Sequence, residues 1–143
     1  MKKEIIADEY FGQLKWDGNA GCYKTMFEWL PGNSVELWIF MDEKDHGSEI
    51  MKYRNIIKTM KSKENEYLDL TAQRLLNVFN DILEDYNEQR VDAKEFLHGI
   101  SLSHITVNEN GESTLTYTHD AGIAPLIVIS VSSDSSFKDA VLD

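Results

Sequence analysis

The sequence predicts an α+β fold: an antiparallel sheet with helices packed on one of its faces. Three observations carry this. Up to residue 41 the chain holds alternating polar and apolar runs separated by turn residues. From about residue 49 to 86 the spacing becomes helical, and strand-like runs resume at residue 100. Strands and helices are thus segregated along the chain, which favours helices on one side of an antiparallel sheet over alternating βαβ units.

The elements follow in order. Tyr10 to Trp16 reads as a strand, and Asp17-Gly18-Asn19-Ala20-Gly21 as a turn. Cys22 to Leu30 is a second strand, turned by Pro31-Gly32-Asn33 into a third from Ser34 to Met41. Val35, Leu37, Ile39 and Met41 share one face of that strand, and Trp38 and Phe40 the other. Short turns make these three an antiparallel meander. Two long helices are expected next. Ile50, Tyr53, Ile57 and Met60 mark one over about 49–62. A second, over 70–86 with Asp69 as N-cap, carries Ala72, Leu75, Leu76, Phe79, Ile82, Leu83 and Tyr86. Asp92 and Glu95 have capping-box spacing around a short helix, Ala93 to His98, that Gly99 stops. Strands Ile100–Val107 and Ser113–Thr118 flank Asn110-Gly111, a strong hairpin signal. Pro125 to Val131 is almost uniformly apolar and is expected to be covered on both faces. Phe137 to Leu142 reads as an edge strand or a loose tail.

The 143 residues include 2 Pro and 8 Gly, with no linker and no internal repeat, and are read as a single domain over 1–143. Net charge is −11. Residues 1–66 hold 10 Lys and Arg against 12 Asp and Glu, whereas residues 67–143 hold 4 against 13. That balance argues against nucleic acid, whose phosphates reward cations, and points towards a basic protein partner. No apolar run approaches the roughly 20 residues a membrane helix needs, so no membrane association is expected and the compartment is read as the cytoplasm. The oligomeric state is left open.

Chemistry-bearing motifs are scarce. Cys22 is the only cysteine and reads as a buried apolar residue. Asp42 to Gly47 resembles a calcium loop, but Lys44 and His46 fall where oxygen ligands are needed, leaving a solvated acidic connection. His119-Asp120 follows a strand, while His46, His98 and His104 are scattered with no metal-ligand spacing. No catalytic residue, metal or cofactor is assigned. Arg54, Lys58 and Lys61 form a basic row, expected to pair with acids on the second helix. Trp38 and Phe40 are candidate partner-binding anchors, with Glu84, Asp85 and Glu88 as candidate acidic contacts.

Phe11-Gly12-Gln13-Leu14 near the start, Leu75-Leu76 with Asn80-Asp81 in the helix, and Glu95-Phe96 in the short helix form an ordered set. So arranged, the chain resembles a bacterial family known only as a domain of unknown function. Its late strand usually carries an aromatic, Gly-His segment. Here that stretch is Asp120 to Pro125, without the histidine, so no role for that histidine carries over. The resemblance implies no activity. Of three functional readings, the first is a non-enzymatic protein-interaction module of the immunity or antitoxin type. The others are a small-ligand binder with an aromatic pocket at Trp29 and Trp38, and a hydrolase using His119 and Asp120.

Overall fold

The computed structural model describes residues 4–41, 46–120 and 125–143. Residues 1–3, the link 42–45 and the 121–124 part of the late-strand segment lie outside them. Eight strands join one sheet in sequence order: β1 (Ile5–Asp8), β2 (Gly12–Asp17), β3 (Cys22–Leu30), β4 (Asn33–Ile39), β5 (Ile100–Val107), β6 (Ser113–His119), β7 (Ile127–Val131) and β8 (Phe137–Leu142). Between β4 and β5 lie α1 (His46–Asp85) and α2 (Ala93–His98).

Two expectations are overturned. The sheet is mixed, because β4 and β5 run parallel, with Leu37 opposite Ile105 and Ile39 opposite Val107. The two long helices are one helix of 40 residues. Both differences share a cause. A pair of helices returns the chain to the end of the sheet it left, giving an antiparallel neighbour. A single helix carries it to the other end, so the next strand runs parallel.

The helix continues because its inward row does not stop. Tyr53, Ile57 and Met60 lead through Glu64 to Tyr67, Thr71, Leu75, Phe79 and Leu83, always three or four residues apart; all except Glu64 are buried. The polar members, which suggested a loop, are satisfied. The Tyr67 hydroxyl donates to the Ser135 carbonyl, and the Thr71 hydroxyl donates to the Tyr67 carbonyl at 2.7 Å. Glu64 accepts from the Tyr117 hydroxyl at 2.6 Å. Asp69 therefore sits within α1 and caps nothing. Nor does the basic row face acids on a second helix: Arg54 reaches Asp8 on β1 at 2.9 Å.

Other elements follow their sequence signals. Asp92 accepts from the Glu95 N–H at 2.8 Å while Glu95 accepts from the Asp92 N–H at 3.1 Å, the reciprocal capping box. The β5–β6 hairpin turns at Gly111, whose φ of +87° suits glycine. The chain's first strand, β1, carries little sequence signal, because four residues with one buried side chain, Ile6, give little periodicity. β7 is covered on one face only, with Ile127, Ile129 and Val131 buried but Val128 and Ser130 half-buried. It lies one strand from the sheet edge, where β8 is an ordered strand.

The core lies between α1 and one face of the sheet. Trp29, Tyr23, Leu37, Ile39 and Ile105 pack there with Tyr53, Ile57, Met60 and Phe79. No described element forms a layer on the opposite face.

Candidate functional site

On the uncovered face, strand alternation places Lys15, Lys24, Trp38, Thr106 and Thr114 in one cross-strand row. Met26, Glu36, His104, Thr116 and Val128 form the next. Trp38 is half-buried and fixed. Its Nε1 donates to Glu36 Oε1 at 2.5 Å, the Lys24 ammonium stands 3.8 Å from its ring centre, and His104 packs edge-on at 4.9 Å. Burial lowers the His104 pKa below the usual histidine value. Phe40, also half-buried, lies at the β5–β6 hairpin end and accepts at its carbonyl from the Tyr53 hydroxyl. A recess of about 760 Å³ opens beside Trp38, lined by residues of β2 and β3 and by Glu36.

The second candidate surface is the C-terminal end of α1. Asn87, at φ 59°, closes the helix, with Glu88 N–H donating to the Leu83 carbonyl at 2.8 Å and Asn87 N–H to the Glu84 carbonyl at 3.0 Å. Both bonds define a Schellman stop. Here Asp81, Glu84, Asp85 and Glu88 are all exposed. A helix's C-terminus carries partial negative charge, so carboxylates there are disfavoured. Among the described residues, Arg90 supplies the only ion pairs to this group, reaching Glu84 at 2.7 Å and Asp81 at 3.7 Å.

The two surfaces are separate. Trp38 lies level with Thr106, while Leu83 and Glu88 line a recess of about 400 Å³ beside Gly99. Those levels are about 20 Å apart along β5, and Trp38 faces away from α1. The structure therefore does not gather Trp38 and Phe40 with Glu84, Asp85 and Glu88.

His119 lies at the wall of the smaller recess. It is packed against Phe79 at 4.6 Å and Phe96 at 6.2 Å between ring centres, with Asp120 Oδ1 3.4 Å from its Nδ1. Burial holds its pKa below the usual value, and the Asp120 carboxylate offsets part of that. A Cβ at Gly99 would stand 2.6 Å from the ring, so the helix stop also makes room for the imidazole. Among the described residues, no group of three or more His, Cys, Asp or Glu side chains is placed to hold a metal ion. Burial raises the Cys22 pKa. Trp29 is fully buried and faces α1, so it shares no pocket with Trp38. Among the described residues, no helix is long and apolar enough to cross a membrane.

These features define a protein with a helix on one face of a mixed sheet and two separate polar surfaces. The chain belongs to the family of uncharacterised proteins conserved in bacteria known as DUF2262, which matches residues 8–142. No curated protein and no solved structure matches it.

Proposed function

We propose that the chain is a protein-interaction module that engages a basic partner through the acidic end of α1. The observation that carries this reading is the charge placement there. Glu84, Asp85 and Glu88 stand at the helix end where their charge is disfavoured, and among the described residues only Glu84 of the three has an ion pair, to Arg90. A cationic partner relieves that repulsion on binding, and complementary fields speed its approach. An immunity-type inhibitor of a basic enzyme has such a surface. A standard interface takes about 800 Å² from each partner, so a compact footprint here leaves out Trp38, on the other sheet face.

The test is affinity capture from a bacterial lysate with the unaltered protein and with Glu84→Lys/Asp85→Lys/Glu88→Lys. A basic protein retained by the first and lost by the second is expected. Equal retention by both contradicts the reading.

A further inference from the structure

The recess on the uncovered face carries an arrangement of charge that folding leaves incomplete. Lys15 and Lys24 are cross-strand partners on β2 and β3, and like charges so placed repel. Lys24 is answered by Asp17 at 2.7 Å and by the Trp38 ring. Among the described residues, Lys15 has no carboxylate partner. Glu36, on β4, spends one oxygen on Trp38 Nε1 and makes no ion pair among the described residues, while the Lys24 ammonium acts on it from a longer range. One cation, Lys15, and one carboxylate, Glu36, each without an ion pair among the described residues, thus line the same recess. On β3 between them stand Lys24 and Met26, the latter 63% exposed, and Gln13 lines the same recess.

The dimensions select a ligand. Strands β2 and β4 lie two spacings apart, and Glu36 stands two residues from Trp38, the position level with Lys15, so the two backbone positions are about 12 Å apart. An extended tripeptide spans about the same length. The volume of about 760 Å³ falls within the range of small-ligand sites. We propose that this recess binds a short extended peptide by its two ends, the terminal carboxylate at Lys15 and the terminal ammonium at Glu36, with its side chains against Met26. A single amino acid is too short to meet both charges, and a dianion finds only one cation outside an ion pair, Lys15, with the Glu36 carboxylate opposing it.

The experiment is titration of the intact protein with trialanine, followed by amide chemical shifts. Saturating shifts are expected at Gln13 to Asp17, at Lys24 to Met26 and at Glu36. N-acetyl-trialanine, trialanine amide, Lys15→Gln and Glu36→Gln should each weaken binding at least about tenfold, the effect of losing one charged contact of roughly 1.4 kcal/mol. Both variants lie on the solvent face, and their unperturbed spectra elsewhere report an intact fold. The proposal is overturned by the absence of saturating shifts at about 10 mM peptide, where a Kd of 1 mM is readily seen. Shifts that ignore both end-caps overturn it too. Neither variant touches the end of α1, so this result and the capture result are independent.

Discussion

Phe79 and His119 show how the environment of a side chain decides its role. Phe79 is fully buried between α2 and β6, with Phe96 edge-on at 4.9 Å. Its place in the helical row made that burial legible in the sequence. Phe79→Ala should cost about 3–5 kcal/mol in chemical denaturation, the usual range for a core aromatic. A loss below about 1 kcal/mol would contradict the packing. The environment of His119 was not legible, because its neighbours come from three separate elements and its own strand shows only its terminal position. Its lowered pKa has a signed consequence. Below pH 6.5 the unfolded chain takes up a proton that the folded imidazole resists, so stability should fall from there down to the folded-state pKa. His104, lowered likewise, adds to the same slope. Thermal melts between pH 7 and 5 should show a decline that is shallower in His119→Phe. An unchanged slope in that variant would contradict the burial of a neutral ring. Aspartates give a second limb in acid. Burial alone raises the Asp8 pKa, but N–H groups of Phe11 and Tyr10 and the Arg54 guanidinium outweigh it and hold it below the usual value. That contribution is present above about pH 4 and lost as pH falls through the lowered value.

At the scale of elements, strand alternation and turn chemistry suffice for β3 and β5, whose limits match their sequence runs, and for the hairpin, whose second strand runs one residue further, to His119. They were also sufficient to place Trp38 and Phe40 away from the core. The helices were not legible in the same way. Lys63 to Asp69 is polar enough to read as a connection, and only the partners on β6 and the β7–β8 turn reveal why Glu64 and Tyr67 face inward. Burial raises the Tyr67 pKa to about 12, so its hydroxyl remains a donor throughout the physiological range. A proline at exposed Asn65 separates the alternatives. In a continuous helix Asn65→Pro removes a bond and clashes with the preceding turn, costing about 3 kcal/mol or more. In a loop it is nearly neutral. The end of α1 offers the opposite sign. Asp85→Lys replaces a charge the helix dipole disfavours, and should raise stability by about 0.3–1 kcal/mol while weakening partner capture. A destabilised Asp85→Lys would show that this carboxylate serves the fold.

Across the whole molecule, the charge asymmetry read from composition becomes a spatial one. The first half of α1 carries Lys52, Arg54, Lys58, Lys61 and Lys63, and the second ends on Asp81, Glu84 and Asp85. That order opposes the helix dipole at the acidic end, where fold stability alone gives no reason for it. The sequence contained the acids but not their isolation, because pairing with a second helix was available until the two helices proved to be one. With that pairing gone, Arg90 is their one counter-ion among the described residues, and the remaining charge faces solvent.

Binding of a basic partner by the acidic end of α1 is best checked by the association rate of a captured partner, measured from about 50 to 500 mM salt, a range over which the Debye length falls from roughly 14 to 4 Å. The acidic end of α1 predicts a rate that drops steeply with salt and drops again in Glu84→Lys/Asp85→Lys, with a smaller change in dissociation. A tight partner whose association rate ignores both salt and these two charges contradicts it.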